Sequence, residues 1–382
     1  MLGIYIHFPY CVHKCFYCDF YSLEDFSTMN LFSDLLLKEI DIATHQFFPI
    51  LQNVDTIYFG GGTPSLMNPA QLDKIINKIA KLYNISPDAE ITLETNPGTI
   101  DQQFLKDFKY LGINRLSIGI QSFIDSELKF LQRIHSSQEA INTFNLARGI
   151  GFDNISIDLM YNLPVQSIGD MTYSISKAIE LSPEHISAYS LIYEPDTPLQ
   201  KAVKRGQIQP LDENIEANGF MNIIEQLTNA GYEQYEISNF AKDGKISRHN
   251  SKYWTYEPYI GFGPSAHSFL YPFRHWNIRS INKYIERLQN DILPIQGREE
   301  ITFDEEIEEN IMLGLRASGI NIQELKDKYN VDILKILQQM YPQYNEYVQI
   351  DGKKARLTQR GYLLSDEIII DIISKIKKQD IS

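Results

Sequence analysis

All three cysteines of this 382-residue chain lie within eight consecutive residues, Cys11-Val-His-Lys-Cys15-Phe-Tyr-Cys18. An odd number of cysteines at such short spacing is a poor disulfide framework, whereas close-set cysteines in a reducing compartment usually bind metal. The alternative, three buried free thiols, is disfavoured because random placement rarely collects every cysteine in one segment. We therefore expect a metal-binding loop at Cys11, Cys15 and Cys18, and a cytoplasmic protein.

Bulk properties exclude several other classes of protein. The chain has no apolar run of about 18 residues, so we expect no membrane span. Its N-terminus lacks the basic region and small-residue cleavage site of a signal peptide, so we expect no export. The formal net charge of −14 argues against nucleic acid as the main partner, since phosphate binding needs a dense basic surface.

The first 235 residues alternate short apolar runs with amphipathic helical stretches. The predicted strands are Gly3–Phe8, Thr56–Phe59, Ile91–Thr95, Arg115–Ile120, Ile155–Leu159 and His185–Leu191. Six β-then-α units predict a parallel α/β sheet with right-handed crossovers. This count fits an open, partial (β/α)6 barrel, in which ligands gather at the carboxyl ends of the strands.

Two further regions follow this barrel domain of residues 1–235. Residues 236–298 are rich in aromatic residues, histidine and glycine without a clear periodicity, and residues 299–382 are mainly helical. Within the last region, Val348–Ile350 and Ala355–Leu357 predict a hairpin, after which Thr358 is expected to cap a long helix. This order predicts a winged-helix-like C-terminal domain, and its acidic residues argue for packing rather than DNA contact.

The cysteine spacing also carries a family resemblance. Three thiolates can bind three irons of a [4Fe–4S] cube and leave the fourth iron without a protein ligand. The Cys-x3-Cys-x2-Cys spacing resembles the signature of the radical S-adenosylmethionine (SAM) superfamily. That resemblance implies that SAM chelates the open iron and is cleaved to a 5′-deoxyadenosyl radical. It also implies that Gly61, Gly62 and Thr63, in a glycine run directly after a strand, bind the methionine moiety of SAM.

Polar residues at or beyond the predicted strand ends extend this resemblance. They are Glu94, Gln121, Arg133 and Asp158. Taken singly, each is typical of an ordinary ion pair or cap. Together they resemble the SAM-binding set of the oxygen-independent coproporphyrinogen dehydrogenase branch, where such residues contact the amino, carboxylate and ribose groups of SAM. The same branch implies that Tyr5 belongs to the site and that Tyr17 lies beside the adenine.

The chain departs from the true dehydrogenases of this branch. They carry a fourth cysteine two residues after the third, where this chain has Phe20, and a long N-terminal extension that reaches the active site, whereas the first strand here is predicted to start by residue 3. The chain adds His249-Asn-Ser-Lys-Tyr253-Trp254, which is similar to the signature of the HemW-type haem chaperones.

This second motif is chemically suited to haem. A neutral imidazole can ligate iron axially, and tyrosine and tryptophan offer flat apolar area to a porphyrin. The resemblance therefore implies that His249, Tyr253 and Trp254 contact haem. His267 and His275 are nearby in the sequence and are alternative iron ligands.

The resemblance implies a haem chaperone that carries a SAM-chelated [4Fe–4S] cluster and delivers haem to apo-haemoproteins, including respiratory ones. A peripheral membrane contact and a homodimer are compatible with this interpretation. The alternative is an enzyme, an oxygen-independent coproporphyrinogen III dehydrogenase, and Phe20 counts against it. A radical SAM enzyme acting on RNA is a weaker alternative because of the negative charge. The SAM machinery is intact, so SAM cleavage is compatible with each interpretation.

Overall fold

The computed structural model of the chain describes residues 1–48 and 50–379. Its strands are β1 (Leu2–Phe8), β2 (Asn53–Gly61), β3 (Asn84–Thr95), β4 (Arg115–Gln121), β5 (Ile155–Tyr161), β6 (His185–Ser190), β7 (Glu233–Gln234), β8 (Asn239–Ala241), β9 (Tyr259–Phe262), β10 (His267–Leu270), β11 (Phe273–Asn277), β12 (Ile295–Glu300), β13 (Ile320–Asn321), β14 (Val348–Asp351) and β15 (Lys354–Leu357).

The helices are α1 (Met29–Phe47), α2 (Pro69–Leu82), α3 (Gln102–Tyr110), α4 (Asp125–Phe130), α5 (Ser137–Ile150), α6 (Ile168–Leu181), α7 (Pro198–Lys204), α8 (Glu213–Asn229), α9 (Arg248–Trp254), α10 (Ile281–Gln289), α11 (Phe303–Leu315), α12 (Ile322–Tyr329), α13 (Ile333–Tyr344) and α14 (Ser365–Gln379). Short 3-10 turns occupy Pro64–Leu66 and Gly361–Leu364. No helix in the described ranges is long and apolar enough to cross a membrane.

The centre of the fold is a run of parallel strands. In one 12-stranded sheet, β1 to β6 lie side by side in chain order, and each pairs in parallel with the next. All six predicted strands are present. Most strand ends in the structure differ from the predicted ends by no more than a few residues. The predicted partial (β/α)6 barrel is confirmed, and its loops after each strand therefore meet at one rim.

Local sequence signals explain the helices that cover this sheet, and α2 is an example. Asn68 accepts a hydrogen bond from the Ala70 backbone N–H at 2.9 Å, and Pro69 is the first helical residue. Proline suits that position because the first helical N–H groups lack partners within the helix. The predicted apolar face of α2 packs into the barrel core through Leu72, Ile75 and Ile79.

Residues 236–298, which showed no clear periodicity, extend the same sheet. Strand β9 pairs in parallel with β1, and β10, β11 and β12 follow in antiparallel order. Their apolar side chains belong to the same core cluster as the barrel, including Phe262 and Tyr284. The predicted domain boundary after residue 235 stays a prediction, and the structure adds that both sides of it share one sheet and one core.

A buried carboxylate ties this extension to the barrel. Glu39 on α1 accepts hydrogen bonds from the Gly263 N–H at 2.8 Å, the Tyr284 hydroxyl at 2.6 Å and Asn277 Nδ2 at 2.6 Å. Burial raises the pKa of Glu39 to about 7, and the three donors oppose that rise. The loop after β9 and helix α10 are therefore held against α1 by one side chain.

The C-terminal helices form a smaller unit with its own core. Helices α11 to α14 pack around a three-stranded sheet in the order β13-β15-β14, which agrees with the predicted winged-helix-like domain. The predicted start of the last helix was wrong. Thr358 accepts from the Gly361 N–H at 3.0 Å and so caps the 3-10 turn, and α14 begins only at Ser365. Gly361 packs so closely on the Tyr347 backbone that a residue with a Cβ would not fit there.

Candidate functional site

The three cysteines lie in one loop, residues 9–28, which joins β1 to α1 and is called the cluster loop below. All three are free thiols. Cys11 Sγ lies 3.2 Å from Thr63 Oγ1, and Cys15 Sγ accepts a hydrogen bond from Arg133 Nη1 at 3.3 Å. The Cys18 N–H donates to the Cys15 carbonyl at 3.2 Å. The loop therefore places its sulfur atoms among the polar residues that follow β2 and β4.

The three cysteines are a donor set suited to an iron–sulfur cube. No three His, Cys, Asp or Glu side chains within residues 1–48 and 50–379 converge as one metal ion would require. A [4Fe–4S] cube takes each cysteine on a different iron, so its ligands are spaced apart. Burial raises the pKa of Cys18 to about 11, and the neighbouring Cys15 adds to the rise. Iron would supply the positive charge that keeps these sulfurs as thiolates.

The glycine loop after β2 is fixed by hydrogen bonds to Glu94 on β3 and by close backbone packing on the cluster loop. The Gly61 N–H donates to Glu94 Oε2 at 3.1 Å, and the Tyr58 hydroxyl donates to Glu94 Oε1 at 2.8 Å. A Cβ at Gly62 would lie 2.4 Å from the Tyr10 carbonyl oxygen, so only glycine fits there. Burial raises the pKa of Glu94 to about 7. Glu94 thus fixes the loop that the sequence assigned to SAM.

A residue that the sequence analysis passed over connects this loop to Arg133. Asn96, directly after β3, donates to Thr63 Oγ1 at 2.9 Å and accepts from Arg133 Nη2 at 2.5 Å. Arg133 Nη2 also donates to the Gly119 carbonyl at 2.7 Å. Arg133 Nε is buried and has no partner in the described chain. The position of Asn96 directly after β3 is the signal that could have identified it, as it did for the other polar residues at the strand ends.

The other predicted SAM residues meet at the same rim. Gln121 ends β4 with a left-handed φ of 70°, a conformation uncommon outside glycine. Asp158 accepts from the Ser117 hydroxyl at 3.1 Å, and burial raises its pKa. Burial also raises the pKa of Tyr17, and the Arg133 charge opposes that rise. The structure therefore brings together Tyr17, the glycine loop, Glu94, Gln121, Arg133 and Asp158. Their role in SAM binding stays a prediction.

Tyr5 lies deeper, between this polar set and a neighbouring cavity. A Cβ at Gly60 would approach Tyr5 Cε2 to 3.0 Å and Glu94 Oε1 to 3.1 Å. His7 Nε2 lies 2.8 Å from the Tyr21 carbonyl oxygen, which can only accept, so Nε2 carries the proton. The Tyr5 hydroxyl therefore donates to His7 Nδ1 at 3.1 Å. Burial lowers the pKa of His7 to about 4, which keeps this ring neutral.

A cavity of about 370 Å³ opens beside the cluster loop, and it is called the rim cavity below. Its walls include Tyr5, Phe20, Tyr21, Tyr253, Tyr259 and His267. Phe20, which stands where the dehydrogenases of the branch have a fourth cysteine, is 65% exposed. Arg279 also lines the cavity and pairs with Asp19 at 3.0 Å. The cavity thus combines aromatic area, one exposed imidazole and a cation next to Cys18.

His249 lies elsewhere, inside the barrel. Its side chain is 0% exposed, with Nδ1 2.9 Å from Thr56 Oγ1 and Nε2 2.9 Å from the Tyr253 hydroxyl. The Glu90 carboxylate accepts the backbone N–H groups of Arg248 and His249, each at 3.0 Å. Burial lowers the pKa of His249 to about 3. Its predicted contact with haem stays a prediction, and axial ligation would require the hydrogen bond at the ligating nitrogen to break.

The remaining predicted haem residues separate into two groups. Tyr253, one helical turn after His249, lines the rim cavity and packs edge-on against Tyr259 with ring centroids 4.6 Å apart. Trp254 is half-buried, and His275 is buried against Phe47 with ring centroids 5.0 Å apart. Neither of them lines the rim cavity. The structure therefore places Tyr253 and His267 together and sets Trp254 and His275 apart from them.

Comparison with known proteins agrees with this geometry. Residues 5–177 match the family model of the radical SAM superfamily, and residues 301–364 match that of the HemN C-terminal domain. The chain is 35% identical to "Heme chaperone HemW" of Bacillus subtilis over 374 residues, 96% of this chain and 98% of that protein. It is 40% identical to the HemW of Escherichia coli over 277 residues, 70% of this chain and 69% of that protein.

A solved structure shows the same fold. The coproporphyrinogen III oxidase HemN of Escherichia coli, a radical SAM enzyme, superposes with a TM-score of 0.83 and covers 98% of this chain and 90% of its own. The two sequences are 22% identical. At that identity the likeness establishes the architecture of barrel and C-terminal domain, and function has to be argued from the site.

Proposed function

Because the chain belongs to the HemW family of haem chaperones, within the radical SAM superfamily, we propose that it binds haem and delivers it to apo-haemoproteins. The observation that carries the proposal is the rim cavity. It lies beside the cluster loop and is walled by aromatic side chains, among them Phe20 in place of a fourth cysteine. The acceptors, respiratory haemoproteins among them, follow from the same proposal, as do a peripheral contact with a membrane and a homodimer.

In this proposal Cys11, Cys15 and Cys18 bind a [4Fe–4S] cluster. Bound SAM would supply a chelating amine and carboxylate for the open iron and a source of the deoxyadenosyl radical. Arg133 hydrogen-bonds Cys15 and Asn96 and keeps one buried N–H group without a partner among the described residues. An unpaired buried donor is costly unless a ligand pairs with it. That group therefore supports a polar ligand with acceptor atoms at this rim.

The SAM site in this proposal consists of Tyr5, Tyr17, Gly61, Gly62, Thr63, Glu94, Gln121, Arg133 and Asp158. The two carboxyl groups of this set are held in place by hydrogen bonds: Glu94 accepts from the Gly61 N–H, and Asp158 accepts from the Ser117 hydroxyl. A set of polar side chains whose rotamers are fixed by neighbours binds a ligand with little loss of side-chain entropy. The chain's contribution is thus to hold the ligand's polar groups at fixed positions beside the cluster loop.

Haem is assigned to the rim cavity. Its volume of about 370 Å³ lies at the lower end of the usual range of small-molecule and cofactor sites, roughly 300–1,000 Å³, so part of a bound haem would extend out of the cavity. The rings of Tyr253, Tyr259 and Phe20 offer flat apolar area to a porphyrin, and such surfaces contribute most of the binding energy of aromatic ligands. Arg279 is a cation at the same cavity and can pair with a propionate.

The test is a haem titration of the anaerobically reconstituted protein, followed through the Soret band. We expect saturable binding, and Tyr253→Ala should weaken it by tenfold or more, about 1.4 kcal/mol of lost contact. Tyr110→Ala is the matched control, because Tyr110 is 91% exposed at the end of α3. Absence of saturable binding in the wild type, together with decarboxylation of coproporphyrinogen in a parallel assay, would replace the chaperone by the dehydrogenase.

A further inference from the structure

We propose that His267 is the axial ligand of haem iron in the rim cavity, and that His249 acts only as a positioning residue for Tyr253. This inference rests on the proposed function, because it assigns the iron ligand within the same haem site. The sequence motif around His249 suggests that one histidine both shapes the haem site and ligates the iron. The inference assigns these two roles to two different residues. One imidazole is buried as a support, and a different imidazole faces the ligand.

Several kinds of side chain can ligate haem iron, mainly histidine, tyrosine, cysteine and methionine. Those that line the rim cavity are the histidines His7 and His267 and the tyrosines Tyr5, Tyr21, Tyr253 and Tyr259. A ligand must present a nitrogen or oxygen atom that is not already committed to another hydrogen bond. The choice therefore depends on the hydrogen bonds of these side chains.

Most of the candidates are already engaged. His7 uses both ring nitrogens, one with Tyr5 and one with the Tyr21 carbonyl. The Tyr21 hydroxyl accepts from the Ile281 N–H at 2.6 Å, and the Tyr253 hydroxyl is bonded to His249. Ligation by His7 or Tyr253 would leave a buried partner unsatisfied, which is costly. Burial raises the pKa of Tyr21 and so opposes the phenolate form that binds iron.

Two lining residues keep their ligand atoms without a hydrogen-bond partner in the described part of the chain, His267 and Tyr259. Tyrosine binds ferric iron as the phenolate, and burial raises the pKa of Tyr259 and so favours its neutral form. A neutral imidazole ligates without losing a proton. His267 is exposed at the cavity and stacks on Trp276, with ring centroids 6.1 Å apart and planes 24° apart. His267 is thus oriented by its neighbour and open to a ligand.

The geometry around His249 explains its role as a support. Helix α9 is fixed at its start by Glu90, and His249 then reaches Thr56 on one side and Tyr253 on the other. Rings of Tyr5 and Tyr58 lie 6.4 and 5.2 Å from its centroid. Since Tyr253 lines the rim cavity, the imidazole of His249 sets the position of a cavity wall from inside the barrel.

The experiment compares ferric haem spectra of the full-length reconstituted protein in four forms: wild type, His267→Ala, His249→Ala and His45→Ala. We expect His267→Ala to lose the bands of the imidazole-ligated iron and to recover them when imidazole is added. His249→Ala should keep the ligand bands and bind haem about tenfold more weakly, the loss of about 1.4 kcal/mol. His45, exposed on α1, serves as the control and should leave both properties unchanged. Tyr253→Phe removes the same hydrogen bond if His249→Ala does not fold.

The outcomes separate the two proposals. A wild type that shows no saturable haem binding overturns the proposed function and this inference with it. A wild type that binds haem, with ligand bands unchanged in His267→Ala, overturns only the assignment of the iron ligand. Loss of those bands in His249→Ala, with recovery on added imidazole, would place the iron on His249 and overturn the inference in the same way.

Discussion

The rim of the barrel and its interior around helix α9 both carry polar side chains, but the two regions use them differently. At the rim, Arg133 Nε has no partner in the described chain, and His267 is exposed at the cavity. Inside the barrel, both ring nitrogens of His249 are bonded, and so are both carboxylate oxygens of Glu90. Satisfied polar groups stabilise a fold, whereas available ones bind ligands. A residue's place in a sequence motif therefore does not by itself show that its side chain contacts the ligand.

The largest effect is expected when one of the proposed cluster ligands at the rim is removed. Cys15→Ala should abolish binding of the [4Fe–4S] cluster, because three cysteines are the whole thiolate supply of the chain. Iron content and the visible absorption of the reconstituted protein measure it. His13→Ala is the control from the same loop, since the His13 side chain is partly exposed and pairs with Glu24 at 3.2 Å. A cluster that survives in Cys15→Ala would show that the loop does not bind it as proposed.

The second prediction contrasts the two histidines in stability. His249→Ala should lower the free energy of unfolding by roughly 3 kcal/mol, because it leaves a cavity and two partners without their hydrogen bonds. His267→Ala should change it by at most about 0.5 kcal/mol, as expected for an exposed side chain. Denaturant unfolding of the metal-free protein measures both. Equal losses of unfolding free energy in the two variants would contradict the proposed difference between the buried and the exposed histidine.

The third prediction concerns pH. Burial lowers the pKa of His249 from 6.5 to about 3 in the folded protein, so the unfolded chain takes up a proton at a higher pH than the folded one. This contribution to stability is present above pH 6.5 and is lost as the pH falls toward 3. Between pH 7 and 5 the stability advantage of the wild type over His249→Gln should shrink by roughly 2 kcal/mol.

The same pH series on His267→Gln provides the comparison for that prediction. Partial desolvation lowers the pKa of His267 as well, and the Arg274 charge adds to the lowering. Because part of the ring is exposed to water, the effect is moderated. We expect its difference from the wild type to change much less over this pH range. A change as large as that of His249→Gln would mean that the two rings have similar environments.

The smallest predicted effect concerns Asn96. Asn96→Ala should weaken SAM binding by roughly tenfold, the size expected when a partner that orients binding groups is removed. Asn96 links Thr63 to Arg133, so its loss frees both side chains. Isothermal titration with SAM measures the change. Asn77→Ala on α2, where Asn77 donates to Asp73 on the same helix, is the control, and equal SAM affinities in both variants would exclude this role of Asn96.

Contacts near in sequence were predictable, and distant ones were not. The six barrel strands follow from local apolar runs, and the cysteine loop is contiguous. Strand β9 escaped prediction because it is four residues long and pairs with β1, more than 250 residues away in the chain. The pairing of Gly3 with Tyr259 is visible only in three dimensions.

The site shows the same division between local pattern and long-range packing. Motif spacing identified the cysteines, the glycine loop and the residues at the strand ends. It could not show that His249 is buried, because that burial depends on Thr56 and Glu90, which lie more than 150 residues earlier. It also could not single out His267 over His275, since only the packing of β11 turns His275 toward Phe47.

One measurement tests the contrast between the two histidines directly. Diethyl pyrocarbonate acylates accessible imidazole nitrogens, and mass spectrometry locates the modified residues with and without haem. We predict that His267 reacts in the haem-free protein and is protected by haem, whereas His249 reacts in neither state and the exposed His45 reacts in both. Modification of His249 in the folded haem-free protein, with protection by haem, would contradict the account.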